Sequence, residues 1–240
     1  MIRHCFKGIF CLLLFQSNGF SQTTHPDTTF IAQSIQHSIA LYTREIGGQT
    51  HLYNGSEYHE YKSVNGEDPY FINEWIEGEI YFDGNLYQKV PLLYDLSLDK
   101  IITEHHVSHQ NILLVTDKVT YFVIQEHRFV LLRDKQIRPG FYELLYDGKT
   151  KVYIRNQKNF QETKLGSSLM YKKEFEKKTW FYIYKNGTFY QVKNKKAVLK
   201  VLRDHKNELV QFIDQNKIKF NSNFGKNIAR LAKYFDDINH

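Results

Sequence analysis

Hydrophobic and polar positions along residues 79–106, EIYFDGNLYQKVPLLYDLSLDKIITEHH, follow the pattern of three successive strands. Asp83-Gly84 predicts the first turn, because a type I′ hairpin needs positive φ at both of its central residues. A short polar segment with Asp95 and Asp99 separates the second strand from the third. The pattern therefore predicts an antiparallel hairpin that is extended by a third strand.

A loose repeat of Tyr, then Asn-Gly or Asp-Gly, then Tyr predicts further hairpins, in which aromatic side chains form cross-strand pairs. Its four turns are Asn54-Gly55, Asp83-Gly84, Asp147-Gly148 and Asn186-Gly187. Their irregular spacing excludes the period of a solenoid or propeller. Short apolar runs between them, at residues 111–116, 120–125 and 127–133, predict additional strands.

The period becomes helical near both ends of the chain. Residues 27–46 carry apolar side chains at spacings of three and four, which predicts an amphipathic helix. After residue 192, helical spacing returns over residues 197–202, 209–213 and 223–235. We therefore expect an α+β fold: antiparallel β-hairpins in one or two sheets, an N-terminal amphipathic helix and a C-terminal helical segment.

Residues 156–178 are polar and only weakly patterned. They predict either a mobile loop or a long charged hairpin arm. For the domain organisation, we expect the helix and sheet in residues 22–194, and a basic helical segment in residues 195–240 that packs on them.

The first residues have the pattern of a secretory signal peptide. Arg3 and Lys7 precede a short apolar run at residues 9–15, and Gly19 and Ser21 suit cleavage before residue 22. Residues 1–21 are therefore predicted to be removed on export to the periplasm or outer-membrane periphery, or on secretion, and the mature chain is expected not to be transmembrane. Both cysteines, at positions 5 and 11, fall in this segment, which excludes disulfides, thiolate metal sites and a cysteine nucleophile from the mature chain.

Charge is unevenly distributed behind the formal net charge of +6. Residues 22–154 hold 11 basic and 18 acidic residues, whereas residues 155–233 hold 19 basic and 6 acidic. In an exported chain, the partners that fit a basic half are an anionic lipid surface or an acidic cell-envelope protein rather than nucleic acid. The chain's own acidic half, or solvent around a lysine-rich face, are alternatives. The contact candidates are Lys195, Lys196, Lys200 and Arg203.

A cluster of His105, His106 and His109 beside Glu104 is the candidate for a metal site, since neutral imidazole is a good zinc ligand. The favoured helical spacing is absent, and adjacent residues of a strand point to opposite faces. We therefore interpret the cluster as a polar turn between two strands, and we predict no cofactor.

Asp95 and Asp99, with Glu77 and Glu79 nearby, could act as a general acid and base. Equally, carboxylates that bracket a turn can accept hydrogen bonds from its backbone. No nucleotide-binding glycine loop, P-loop, zinc-protease or hydrolase-elbow motif is present, so we assign no catalytic residue.

Several longer stretches occur together: LYNGSEY at 52–58, the segment 78–99, GFYELLYDG at 140–148, and a lysine-rich ending at 192–236. With them the chain resembles a group of uncharacterised exported β-rich proteins of Bacteroidota. The resemblance covers most of the mature chain and implies export. It brings no activity and no catalytic residue.

These observations favour a non-enzymatic binding or scaffolding module of the cell envelope. One alternative is a carrier that holds a lipid-like or apolar ligand in a cavity lined by some of the 17 Tyr and 18 Phe residues. A further alternative is a hydrolase that uses the carboxylates around Asp95.

Overall fold

A computed structural model of the protein describes Ser34 and residues 51–61, 68–164 and 171–239. The predicted signal peptide lies outside the described residues. So does the predicted N-terminal helix at residues 27–46, apart from Ser34.

The described part of the chain is β-rich, and its strands form one antiparallel sheet of 11 strands. The sheet order is β1-β5-β4-β3-β2-β6-β7-β8-β9-β10-β11. The strands are β1 (Ser56–Glu57), β2 (Ile76–Phe82), β3 (Asn85–Asp95), β4 (Lys100–Glu104), β5 (Asn111–Leu113), β6 (Val119–Ile124), β7 (His127–Leu132), β8 (Gly140–Asp147), β9 (Lys151–Lys164), β10 (Tyr171–Lys185) and β11 (Thr188–Val192).

Two of the four predicted hairpin turns are confirmed. Asp83-Gly84 joins β2 to β3 with φ of 50° and 81°, and Asn186-Gly187 joins β10 to β11 with φ of 50° and 77°. These positive values are those that a type I′ turn requires.

The other two turns differ from the prediction. Asn54-Gly55 does not close a hairpin, because β1 pairs with β5, far along the chain. A Cβ on Gly55 would lie 2.1 Å from the carbonyl oxygen of Leu113, so this glycine permits a close backbone approach. At Asp147-Gly148 the predicted hairpin does form, since β8 pairs with β9 antiparallel, but Asp147 is the last residue of β8 and pairs with Lys151, so the turn consists of residues 148–150.

The polar stretch at residues 156–178 is a hairpin arm over its described residues. β9 and β10 pair from Lys151 with Tyr184 as far as Lys164 with Tyr171. Their neighbours cover less of them, since the pairing of β8 with β9 ends at Ile154 and the pairing of β11 with β10 ends at Phe181. The remainder of β9 and β10 is therefore a two-stranded extension of the sheet.

Aromatic side chains fill the concave side of the sheet. Tyr94 on β3 contacts Phe122, Phe129 and Phe141, whose ring centroids lie 5.1, 5.1 and 5.9 Å from its own. Phe122 and Phe129 also stack on each other. Three strands separate β3 from β8 in the sheet, so this contact requires strong curvature. Burial of each ring contributes about 1.5–3 kcal/mol.

Three helices follow β11 and form a second core against the sheet. They are α1 (Lys195–Val201), α2 (Lys206–Gln215) and α3 (Phe224–Ile238). Their buried side chains pack with Val152, Ile183 and Val192. The C-terminal helices predicted from the sequence are confirmed. Their lysine and arginine residues therefore lie on helices that are packed against the sheet. Among the described residues, no helix is both long and apolar enough to cross a membrane.

Candidate functional site

Asp95 is completely buried at the end of β3. Its carboxylate accepts hydrogen bonds from the backbone N–H groups of Ser97, at 2.7 Å, and Leu98, at 2.9 Å, and from the Tyr58 hydroxyl, at 3.2 Å. Burial raises the pKa of Asp95, and these hydrogen bonds oppose that rise. The carboxylate thus holds the turn between β3 and β4 and is closed to solvent.

Asp99 lies at the other end of the same turn and has different partners. It has a φ of 56°, accepts a 2.6 Å hydrogen bond from the Tyr94 hydroxyl and forms a 3.0 Å ion pair with Arg155. Arg155 also lies over the Tyr142 ring, with 5.1 Å between the guanidinium carbon and the ring centroid. Burial raises the pKa of Tyr142 to about 12, although the nearby guanidinium opposes the shift.

The two aspartates share no hydrogen-bond partner among the described residues. Tyr94, which donates to Asp99, and Asp95 are adjacent on β3, so their side chains point to opposite faces. Gly140 is needed beside Asp99, since a Cβ there would lie 2.1 Å from an Asp99 carboxylate oxygen. Glu77 and Glu79 lie apart from both aspartates on β2, where Glu79 accepts a 3.1 Å hydrogen bond from Gln88. The arrangement is that of two separate structural contacts.

The histidine cluster forms the turn between β4 and β5. His105 accepts hydrogen bonds from the backbone N–H groups of Val107 and Ser108, at 3.3 and 3.2 Å, and its ring stacks on His106. His109 pairs with Glu104 instead. Across the described residues, no group of three or more His, Cys, Asp or Glu side chains is placed to hold a metal ion.

The basic contact candidates lie on α1 and the turn after it. Lys196, Lys200 and Arg203 are exposed; the spacing of four residues puts the two lysines on one face of α1, and Arg203 begins the short 3-10 turn that follows. We call these three residues the α1 basic stripe. In the described part of the chain, none of them forms an ion pair or a side-chain hydrogen bond. Lys195 precedes the stripe and, unlike its three residues, is half-buried.

A cleft of about 760 Å³ opens between β11 and α1 and includes two residues of the stripe, Lys200 and Arg203. Tyr190 forms part of its wall and is 40% exposed, an unusual value for a large aromatic side chain on a sheet face that a helix packs against. Ala197 and Val201 of α1 line the cleft as well. The remaining lining residues are Lys185, Asn186, Phe189, Gln191 and Asp204.

Lys185 and Asp204 form an ion pair within this cleft. The Lys185 ammonium also donates a 3.4 Å hydrogen bond to the Val201 carbonyl oxygen and lies 4.7 Å from the centroid of the Phe235 ring. The hydrogen bond from Lys185 lowers the pKa of the Asp204 carboxyl. Lys185 is thus internally paired, which leaves Lys200 and Arg203 as the cations available to a ligand.

Sequence reasoning identified Lys200 and Arg203 but missed Tyr190. Tyr190 belongs to the Tyr, Asn-Gly, Tyr repeat, whose aromatic residues were interpreted as sheet packing. Its cross-strand partner Ile183 is fully buried beneath the helices, so the strand pattern predicts a buried Tyr190 too. Only the position of α1, which leaves this edge uncovered, reveals the exposure.

Comparison with protein-family models, with curated proteins and with solved structures found no match for the chain. The resemblance to exported proteins of Bacteroidota therefore stays a prediction from the sequence.

Proposed function

We propose that the protein is a non-enzymatic binding module of the cell envelope, and that it contacts an anionic lipid surface through the α1 basic stripe. The observation that carries this proposal is that Lys196, Lys200 and Arg203 form no ion pair among the described residues and that two of them, Lys200 and Arg203, line the cleft between β11 and α1. The more buried cations Arg155 and Lys158 are instead paired internally, with Asp99 and Asp68.

The helix that presents the stripe is held firmly by the second core. Val198, Leu199 and Leu202 are buried against the sheet, so the opposite face of α1 is directed to solvent. Each Lys or Arg near an anionic bilayer contributes about 1 kcal/mol of binding free energy. Three such residues thus favour a weak, salt-sensitive association.

The predicted signal peptide and the resemblance support placement in the periplasm or at the outer-membrane periphery. An acidic envelope protein is the competing partner for the same stripe.

The described structure favours neither alternative function. The aromatic side chains on the concave face contact one another, which gives no support to an apolar-ligand carrier there. Asp95 is closed to solvent and occupied by turn hydrogen bonds, which does not support a hydrolase at this carboxylate.

The test is co-sedimentation of the purified protein with vesicles of phosphatidylglycerol and phosphatidylethanolamine at low salt. We expect binding that weakens as salt rises, and little binding to phosphatidylcholine vesicles. The triple change Lys196→Glu, Lys200→Glu and Arg203→Glu should reduce bound protein at least tenfold.

A second exposed basic stripe provides a matched control. Lys226, Arg230 and Lys233 on α3 have the same spacing and the same number of charges. Reversal of these three should leave most binding intact. If the wild type does not bind anionic vesicles, or if both triple variants lose binding equally, the proposal is wrong. Salt-sensitive capture of an acidic envelope protein without vesicle binding would assign the stripe to that partner instead.

A further inference from the structure

The cleft between β11 and α1 has the composition of a selective site rather than of a charged face alone. We infer that it binds an acidic sugar residue, with the sugar ring against Tyr190 and its carboxylate against Lys200 and Arg203. This inference rests on the proposed function, since it makes part of the α1 basic stripe the recognition element for one anionic component of the envelope.

Tyr190 supplies a flat, partly apolar surface. Its ring is 40% exposed and lines the cleft together with Ala197 and Val201. Aromatic rings combine a large contact area with a fixed geometry, and the tyrosine hydroxyl adds a polar group at the edge. A pyranose ring presents C–H groups on one face and hydroxyls around its rim, so it matches such a surface.

The charges indicate a ligand that places one anionic group in the cleft rather than several closely spaced ones. Lys200 and Arg203 form no ion pair among the described residues, whereas Lys185 is paired with Asp204. The lowered pKa of the Asp204 carboxyl comes mainly from the hydrogen bond and charge of Lys185, and the charge of Arg203 contributes only a minor part. Arg203 can bind a carboxylate through two parallel hydrogen bonds. Asp204 remains about half exposed in the same cleft, and it repels a second anion while accepting hydrogen bonds from hydroxyl groups. Polyphosphates are therefore disfavoured and an acidic, hydroxyl-rich ring is favoured.

The polar lining and the volume agree with this class of ligand. Asn186 and Gln191 border the cleft, and their amides can donate to and accept from hydroxyl groups. A volume of about 760 Å³ lies within the range of about 300–1,000 Å³ that is typical of small-molecule sites. It accommodates one or two sugar rings.

The test is calorimetric titration of the purified protein with trigalacturonate, using a neutral galactose trisaccharide as the comparison ligand. We expect trigalacturonate to bind and the neutral sugar to bind at least tenfold more weakly. Tyr190→Ala should weaken trigalacturonate binding about tenfold through loss of ring contact. The double variant Lys200→Gln and Arg203→Gln should weaken it by a larger factor and remove most of its salt dependence.

The control is Arg230→Gln with Lys233→Gln, which removes the same charge from α3. It should leave trigalacturonate affinity unchanged. Equal affinity for the neutral sugar, an unchanged Tyr190→Ala variant, or full displacement by inorganic phosphate at equal ionic strength would overturn the inference. If vesicle binding persists while trigalacturonate fails to bind, the sugar site is wrong and the proposed function stands. If both binding assays fail, the proposed function is wrong as well.

Discussion

The β3–β4 turn and the α1 basic stripe treat charged side chains in opposite ways. Asp95 and Asp99 in the turn accept hydrogen bonds from backbone N–H groups, tyrosine hydroxyls and Arg155. The stripe presents three exposed cations with no ion pair among the described residues. The carboxylates of the turn are satisfied by internal contacts, whereas the cations of the stripe are available to a partner.

This difference separates residues that stabilise the fold from residues that can recognise something. A buried charge becomes costly when its partner is removed, so substitution of that partner should lower the free energy of unfolding. An exposed, unpaired charge contributes little to folding, so its substitution should alter binding alone. The comparison can be tested by measuring free energies of unfolding for both kinds of residue.

The largest expected effect is at Arg155, which bridges Asp99 and the Tyr142 ring. Arg155→Met keeps much of the side-chain volume but removes the charge. It should lower the free energy of unfolding by about 3 kcal/mol in urea denaturation, because Asp99 stays behind without its cation. Arg128→Met, which removes an exposed guanidinium 4.1 Å above the Tyr121 ring, should cost about 1 kcal/mol or less. Equal losses for the two variants would contradict the distinction between buried and exposed charges.

The next effect is at Asp236, the buried carboxylate of α3. It accepts a 2.8 Å hydrogen bond from the Thr150 N–H and a 3.1 Å hydrogen bond from the Tyr146 hydroxyl, which fastens the helix to the β8–β9 connection. Asp236→Ala should lower the free energy of unfolding by about 2 kcal/mol, since Thr150 is also buried.

Its neighbour Asp237 is exposed and offers a matched control of the same residue type. Asp237→Ala should change the free energy of unfolding by less than about 0.5 kcal/mol. The same urea denaturation series measures both. If Asp236→Ala behaves like Asp237→Ala, the helix is not fastened through this carboxylate.

A smaller effect is expected in the pH dependence of stability at Asp95. Because burial raises its pKa in the folded state, the folded protein binds the proton more tightly than the unfolded chain does. Ionisation of Asp95 therefore costs stability as the pH rises from the unfolded pKa of 3.8 through the higher folded pKa. Asp95→Asn should lose less stability than the wild type over this rise.

The measurement is urea denaturation of both proteins from pH 3 to pH 7, with the exposed Glu126→Gln variant as a control for loss of one surface carboxylate. If the free energy of unfolding changes with pH in the same way for the wild type and for Asp95→Asn, the Asp95 carboxyl does not titrate differently in the folded and unfolded states.

Much of the β structure could be predicted from local patterns. Asp83-Gly84 and Asn186-Gly187 adopt the positive φ values that their residue types favour, and β2, β3 and β4 follow the predicted strands. The helices also begin and end close to the predicted positions, with Asn194 accepting the capping hydrogen bond from Ala197 at the start of α1. These features depend on contacts within a few residues.

The candidate site was only half predictable. Lys200 and Arg203 were identified from charge, but the exposure of Tyr190 and the pairing of Lys185 with Asp204 were not. The predicted hairpin turn at Asn54-Gly55 was wrong for a related reason. Gly55 instead permits a close backbone approach to Leu113, on a strand more than fifty residues away.

The sequence by itself determined the strand and helix pattern, the turn geometry at Asp83-Gly84 and the separation of acidic from basic residues, because each follows from neighbours along the chain. Only the tertiary structure decided which charges are satisfied. Arg155 meets Asp99 across 56 residues, while Lys200 meets no acidic partner in the described part of the chain. Burial and pairing of a side chain depend on which distant segment packs over it. The curvature of the sheet and the packing of the helices determine that segment.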